Sequence, residues 1–142
     1  MNQAVLDYLN TQRIGVIAIE MLDGSPHGAT VHFAHQDEPF IFYFETNKNY
    51  RKSEPLFGRE ISRATFVIGS DEASPKTLQL DGVVSLISDE EEANFEQVYF
   101  GKFPEKVGKY EGPDVVLFKF TPTWWRFTDY TQPKDQRIIT SS

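Results

Sequence analysis

The hydrophobic positions of the chain predict an antiparallel sheet. Apolar residues alternate with polar ones, or run without interruption, in six segments that we predict to be strands: residues 14–21, 27–35, 40–46, 64–70, 77–88 and 114–129. Short turns join the first three segments, and Asp23-Gly24 is the strongest hairpin signal among them. Gly82 is predicted to form a bulge and Pro122 a bend. Because no regular helical crossovers separate the strands, the pattern favours an antiparallel barrel over a parallel sheet.

Three further segments have the periodicity or the end signals of helices. The first lies within residues 2–12, and the third begins at the acidic run 89–92. The second spans residues 47–58, with Asn47 as its predicted cap and Gly58 at its end. The predicted fold class is therefore α+β, mostly antiparallel β, with a six-stranded barrel and short flanking helices.

Length and composition are those of one globular domain. The chain has 142 residues, of which 39% are hydrophobic and 14% aromatic, enough to build an ordinary core. Residues 1–130 contain every predicted strand and helix. The tail, residues 131–142, has little core content, and we expect it either to fray or to contact a partner.

Charge and cysteine content exclude several classes of function. The chain has 14 basic and 21 acidic residues, a net charge of −7, which argues against broad binding of nucleic acids or anionic membranes. It has no cysteine, so disulfides, thiolate metal sites and a cysteine nucleophile are excluded. The sequence shows neither a secretory signal nor an apolar run long enough to span a membrane. We therefore expect a cytoplasmic protein without nucleic-acid or membrane partners.

Basic residues gather directly after the apolar run 40–44. Lys48, Arg51 and Lys52 lie in the segment "ETNKNYRKSEPL", where a strand ends and a helix is predicted to begin. Arginine, lysine and the free N–H groups of a helix start are the groups that bind phosphate. The alternative is a solvated surface in which these cations pair with Glu45 or Glu54. On spacing alone the solvated surface is favoured.

The histidines and the paired tryptophans give weaker signals. His27 and His32 are an odd number of residues apart, so they point to opposite faces of a strand and do not form a metal pair. His35 adds no recognisable ligand spacing, and we predict no metal site. Trp124 and Trp125 also face opposite ways, and one of them is expected on a dimer surface or against a ligand ring. No nucleophile elbow and no P-loop occur.

In their order along the chain, these features resemble the pyridoxamine 5'-phosphate oxidase-like family, the FMN-binding split barrels. The resemblance runs from the first helix to about Asp129. It rests on four stretches: "IGVIAIEMLDGSPHGATVHFAH", "FIFYFETNKNYRK", "LQLDGVVSLISDEEE" and "FKFTPTWWRFTD". The resemblance implies a split barrel over residues 1–130 and a homodimer with FMN in the groove between the subunits.

The resemblance also implies which residues bind the cofactor. Thr46, Arg51 and Lys52 match the family's phosphate-binding segment, and Tyr50 replaces its usual serine. The stretch "HGATVH" matches the strand whose backbone meets the flavin ring. Gln79 is expected to contact the flavin from the neighbouring subunit. The implied cofactor-binding set is His27, Ala29, Thr30, Val31, His32, Glu45, Thr46, Tyr50, Arg51, Lys52, Gln79 and Trp125.

The function implied is an FMN-dependent oxidoreductase that moves hydride or electrons between the flavin and a small substrate. His27 and His32 occupy the two basic positions of "HGATVH", and the tail lacks the Arg- and His-bearing substrate segment of the vitamin B6 oxidase. A general, short family member is therefore expected. The alternative belongs to a different class of function: a non-catalytic protein that binds flavin or haem, or that acts in a stress response, on the same dimeric barrel. Two further alternatives stay open: deazaflavin as the cofactor, and a barrel that binds no cofactor. The sequence identifies no catalytic residue and no substrate.

Overall fold

Eight strands of the described part of the chain form one antiparallel sheet. The computed structural model describes residues 1–69, 71–73, 75–109 and 111–142. The strands are β1 (Ile14–Glu20), β2 (Pro26–His32), β3 (Ala34–Gln36), β4 (Ile41–Asn47), β5 (Ser62–Ile68), β6 (Lys76–Leu86), β7 (Val115–Asp129) and β8 (Ile138–Thr140). Their order is β2-β1-β5-β6-β7-β4-β3, and β8 pairs with the second half of β7.

The sheet curls into a half-barrel with three short helices, which confirms the predicted α+β class and antiparallel architecture. The helices are α1 (Gln3–Asn10), α2 (Glu54–Gly58) and α3 (Glu92–Lys102). The Asn2 side chain accepts a hydrogen bond from the Ala4 N–H at 2.9 Å and so caps α1. Among the described residues, every helix is too short or too polar to cross a membrane.

The prediction of a single strand at residues 27–35 is wrong in one respect, because the structure divides this segment at Phe33 into β2 and β3. β2 pairs with β1 and β3 pairs with β4, and these two strands stand at opposite ends of the sheet order. At Phe33 the chain therefore passes from one edge of the sheet to the other, which closes the half-barrel. The Phe33 side chain is fully buried, and its N–H donates to the Arg13 carbonyl at 3.1 Å. The predicted end of the fourth strand, Ser70, lies outside the described residues.

The helix predicted at residues 47–58 begins later than expected. Asn47 still belongs to β4 and pairs with Val115. Its side chain accepts the Asn49 N–H at 2.9 Å, which makes a turn rather than a helix cap. A 3-10 turn, Arg51–Ser53, follows and leads into α2, with Pro55 in the first turn of α2.

The predicted bulge at Gly82 is confirmed, and it coincides with the predicted bend at Pro122. Asp81 pairs with Trp124 and Gly82 pairs with Pro122, so that Thr123 is the extra residue in β7. An extra residue in one strand of a pair moves all later side chains of that strand to the other face.

The bulge decides which aromatic residues of β7 reach the core. Phe118 and Phe120 are fully buried before it, whereas Trp125 packs against the core and Phe127 is buried after it. The inward positions thus change from even to odd numbers. Residue 82 must be glycine for this close pairing, because a Cβ there would lie 2.2 Å from the Thr121 carbonyl oxygen.

Two aromatic clusters hold the fold together. Inside the half-barrel, Phe44 stacks on Phe118 with ring centroids 4.8 Å apart. The second cluster lies under α3, where Phe95 and Tyr99 pack against Tyr43 of β4. Because this cluster fixes α3 on the outer side of β4, it also fixes the chain that follows α3.

The tail adds a strand that the sequence analysis did not anticipate. β8 pairs with β7 within the same chain, with Thr140 opposite Arg126. Next to it, the Ser141 hydroxyl accepts the Trp125 N–H at 2.9 Å. Part of the segment expected to fray or to contact a partner is therefore paired in the sheet.

Candidate functional site

A cavity of about 360 Å³ lies where the ends of β2 and β4 meet the chain that follows α3. Residues from five separate parts of the sequence meet in it. They are Thr30, Val31, His32, Glu45, Thr46, Asn47, Tyr50, Lys52, Lys106 and Val115. Seven of them belong to the set predicted from the sequence: Thr30, Val31, His32, Glu45, Thr46, Tyr50 and Lys52.

One wall of the cavity is the end of β2, which is an edge strand. Within the described residues β2 pairs in the sheet with β1 alone, so its other edge faces away from the ladder. Thr30 and His32 are exposed on one face, while Val31 between them is buried on the other. Backbone N–H and C=O groups along such an edge are available to a ligand that approaches in the plane of the sheet.

The 3-10 turn after β4 places Lys52 in the cavity. Only 8% of the Lys52 surface is exposed, and its ammonium nitrogen lies 4.6 Å from the centre of the Tyr50 ring. Ser53 anchors the turn by donating to the Asn47 carbonyl at 2.9 Å. Burial lowers the pKa of Lys52, which makes no salt bridge in the described part of the chain. An anionic ligand would give this charge a partner.

Thr46 places a second unsatisfied group in the same cavity. Its hydroxyl oxygen is buried and has no hydrogen-bond partner among the described residues. Leaving a buried polar group unpaired costs about 1–3 kcal/mol. A ligand oxygen in the cavity would remove that cost, so the hydroxyl fits a phosphate-bearing cofactor such as FMN.

Lys106 was not predicted from the sequence, yet it lines the cavity opposite β4. It lies in a 3-10 turn after α3, and its ammonium group donates to the Tyr99 hydroxyl at 3.0 Å. Burial lowers the pKa of Lys106, and the charges of Glu45 and Glu105 oppose this shift. No signal in the sequence connects residue 106 with the end of β4, because the packing of α3 alone brings them together.

Arg51, the neighbour of Lys52 in the predicted phosphate clamp, does not line this cavity. Its side chain is exposed and lies near the β1–β2 turn. Hydrogen bonds from Ser25 lower the pKa of Asp23 in that turn, and the charge of Arg51 contributes to the same shift. A role for Arg51 in binding the cofactor stays a prediction.

Four other predicted residues also lie outside the cavity. His27 and Ala29 are half-buried in the first part of β2, away from the end that reaches the site. Gln79 is exposed on β6, and Trp125 packs against the core from β7. Their contacts with a cofactor stay predictions, and within one chain they do not join the cavity-lining set.

The three histidines have separate environments. His32 lines the cavity, and its ring meets the edge of Phe103 with centroids 5.5 Å apart. His35 is buried beside Asp37, with 3.0 Å between its Nε2 and the carboxylate, and burial lowers its pKa. Across the described residues, no three His, Asp or Glu side chains are grouped as metal ligands would be.

A larger cleft of about 700 Å³ lies on the outer face of β1, β5 and β6. Two of its charged side chains, Glu20 and Arg63, are already paired with each other. Glu20 accepts a hydrogen bond from Arg59 at 2.9 Å and another from Arg63. We therefore assign the candidate site to the smaller cavity. Within the described residues, it contains a buried lysine that makes no salt bridge and a hydroxyl that makes no hydrogen bond.

Comparison with known proteins agrees with this architecture. The family model described as pyridoxamine 5'-phosphate oxidase matches residues 1–129, nearly the whole chain. A search among curated proteins found no match.

Similar solved structures include a haem-binding protein from Mycobacterium smegmatis, with a TM-score of 0.73 and 14% identity, covering 92% of this chain and 53% of that one. A Clostridium acetobutylicum protein related to general stress protein 26 has a TM-score of 0.69 and 16% identity, covering 99% and 92%. The haem storage protein HutZ from Vibrio cholerae has a TM-score of 0.68 and 18% identity, covering 85% and 89%.

Because this chain spans about half the length of the Mycobacterium protein and all three identities are below 25%, these structures establish the fold alone. The family match covers residues 1–129 and includes every element that builds the cavity. The chain therefore belongs to the pyridoxamine 5'-phosphate oxidase family.

Proposed function

We propose that this protein binds FMN as a homodimer and acts as an oxidoreductase, passing hydride or electrons between the flavin and a small substrate. One observation carries the proposal. The cavity at the ends of β2 and β4 combines the buried Lys52 and the unpartnered Thr46 hydroxyl with the free edge of an edge strand.

In this proposal the phosphate end of FMN occupies the cavity. Lys52 and Lys106 supply positive charge, and the hydroxyls of Thr46 and Tyr50 supply hydrogen bonds. His32 adds a donor at the end of β2, and its charge depends on pH. Burial lowers the pKa of His32, and the charges of Lys106 and Arg13 lower it further, so its neutral form dominates near pH 7.

The flavin, when bound, supplies the redox chemistry, and the chain supplies binding, orientation and shielding from water. Backbone groups along β2 would hold the edge of the ring. Gln79 and Trp125 do not line the phosphate cavity of one chain. In this proposal Gln79 contacts the flavin from the neighbouring subunit, in a groove shared between two subunits, and Trp125 covers one face of the ring.

The test compares FMN with riboflavin, which lacks the phosphate. The purified protein is titrated with each ligand, and binding is measured by quenching of flavin fluorescence. Lys52→Met is expected to weaken FMN binding at least tenfold and riboflavin binding little, because it removes a charge-assisted contact to phosphate. The matched control is Lys48→Met, which removes an exposed lysine already paired with Asp114 at 3.0 Å. The control should bind FMN as the unmodified protein does.

Thr46→Val offers an independent test, since it replaces the unpartnered hydroxyl with a methyl group of similar size. The ligand-free variant is expected to be as stable as the unmodified protein or more stable, while its FMN affinity falls. Bleaching of the bound flavin by a reduced nicotinamide would support the enzymatic role. Failure of the protein to take up FMN, or equal affinity in the Lys52 and Lys48 variants, would overturn the proposed site.

A second candidate function is non-catalytic haem binding. His32 in the cavity is a possible iron ligand, and two of the similar structures are described as haem-binding and haem storage proteins. Titration with haemin separates the two candidates. A sharp Soret band that His32→Ala abolishes, without uptake of FMN, would select haem.

A further inference from the structure

Glu45 places a carboxyl group in the cavity that also contains the basic side chains of Lys52 and Lys106. It is the one acidic residue of β4, is half-buried and precedes Thr46 directly. Its carboxylate forms no hydrogen bond and no salt bridge within the described residues. Burial raises the pKa of Glu45, and the charge of Lys106 opposes that shift. The proposed function leaves this group without a role.

Glu45 also separates two cavities. A second cavity of about 430 Å³ adjoins the first and shares Glu45 and Val115 with it. The charged and titratable groups around Glu45 therefore come from several elements. They are His32 on β2, Tyr50 and Lys52 before α2, Lys106 after α3, Glu92 and Glu96 on α3, and Glu111 in the chain leading to β7.

We propose that Glu45 determines which anions the phosphate cavity accepts, by taking up a proton from solvent when a phosphate group binds. The inference rests on the proposed function only in taking phosphate as the ligand. A carboxylate and a phosphate in one small cavity repel each other, and both compete for the charge of Lys106. Protonation removes the repulsion, and the resulting carboxylic acid can donate a hydrogen bond to a phosphate oxygen.

The repulsion should depend on the charge of the ligand. A phosphate monoester carries up to two negative charges near pH 7, whereas a phosphodiester carries one. At the separations possible inside such a cavity, each ligand charge next to an ionised Glu45 is expected to reduce affinity about threefold to tenfold. Glu45→Gln should therefore tighten binding of a monoester more than binding of a diester.

The experiment measures proton uptake on binding. The intact protein is titrated calorimetrically at pH 6 with FMN and, separately, with inorganic phosphate, each in two buffers of different ionisation enthalpy. Relative to the unmodified protein, Glu45→Gln is expected to lower proton uptake and to raise affinity for both probes. Riboflavin binding should not change. Because the same ligand is used with both proteins, the protons that it takes up in either case cancel, and the remaining difference reports the effect of Glu45 on the protonation of the site and of its ligand.

Two further variants make the result specific to Glu45. Glu96→Gln removes the same charge from the second cavity without altering the first. It should leave proton uptake and affinity unchanged. His32→Gln removes the other group expected to take up a proton, and the effect of Glu45→Gln should persist in that background.

Each outcome decides the matter. Equal proton uptake in the unmodified protein and Glu45→Gln, or equal effects of the Glu45 and Glu96 variants, would overturn the inference. If inorganic phosphate binds with Glu45-dependent proton uptake and FMN does not bind, the inference stands and the proposed function fails. If FMN binds without any dependence on Glu45, the proposed function stands and the inference fails. If neither probe binds, both are overturned.

Discussion

Replacing Gly82 with alanine is expected to lower the free energy of unfolding by roughly 2–3 kcal/mol. The new methyl group would lie 2.2 Å from the Thr121 carbonyl oxygen and 3.0 Å from both the Phe120 ring and the Pro122 Cα. Two of these three neighbours are backbone atoms of β7, so no side-chain rotation relieves the clash. The two strands must separate by about 1 Å at the bulge.

The magnitude combines two costs. Separating the strands weakens about one ladder hydrogen bond beside the bulge, which is worth about 1 kcal/mol. Forcing an extra methyl group into a closely packed region costs roughly a further 1–2 kcal/mol. For a chain of this length the sum corresponds to a fall in Tm of roughly 6–12 °C.

The assay is urea denaturation followed by tryptophan fluorescence, since Trp124 and Trp125 both lie next to the bulge. Protein concentration is held constant, because a dimer would make the midpoint depend on it. The matched control is Gly101→Ala in α3, where an added Cβ meets no atom within 4 Å. Alanine is the better helix former, so this control should be about 0.5–1 kcal/mol more stable. Equal stability of the Gly82 variant and the unmodified protein would refute the close pairing of β6 and β7 described above.

Three other substitutions test separate parts of the fold. Asn2→Ala should cost about 1 kcal/mol in thermal denaturation through loss of the α1 cap, and no change would contradict that capping role. Burial raises the pKa of Glu91, but hydrogen bonds from Lys119 and Ser88 outweigh it and the net pKa is lowered. Glu91→Gln should therefore cost about 1 kcal/mol in urea denaturation at pH 7 and less as the pH falls below 4.5, whereas a cost independent of pH would contradict the pairing. Burial lowers the pKa of Lys102 from 10.5 to about 8, so stability should rise as the pH increases between these values. Lys102→Met should be more stable at pH 7 and lack that rise, and a variant that keeps it would contradict the assignment.

The strands could be predicted because the apolar residues of each either alternate with polar residues or form an uninterrupted run. The break at Phe33 could not be predicted. The stretch "HGATVHFAH" keeps a strand pattern throughout. β2 ends there because the residues before Phe33 pair with β1 and those after it pair with β4. This change of pairing partner depends on the arrangement of the whole sheet. Asn47 was misassigned for a different reason, since the same side chain suits a helix cap and a turn equally well.

Spacing in the sequence could predict the part of the candidate site that lies around one strand end. Thr46 lies near the end of β4 and Lys52 in the turn that follows it, and both line the cavity. Arg51 was expected to act with Lys52, but successive residues of a 3-10 turn point about 120° apart, and of the two only Lys52 lines the cavity. The role of Arg51 stays a prediction. Lys106 reaches the site because Phe95, Tyr99 and neighbouring rings hold α3 against β4. No spacing rule encodes that contact.

The assembly of the cavity from distant segments has a consequence for folding kinetics. The β1–β2 hairpin can form early, because its strands are adjacent in the chain. The pairing of β4 with β7, which brings Val115 to the cavity, joins residues some 70 positions apart and must close a long loop. We therefore expect the cavity to be completed late in folding, so that a ligand finds its site only in the native state. A ligand that fits should stabilise only the native state, so its concentration should raise the unfolding temperature without changing the folding rate.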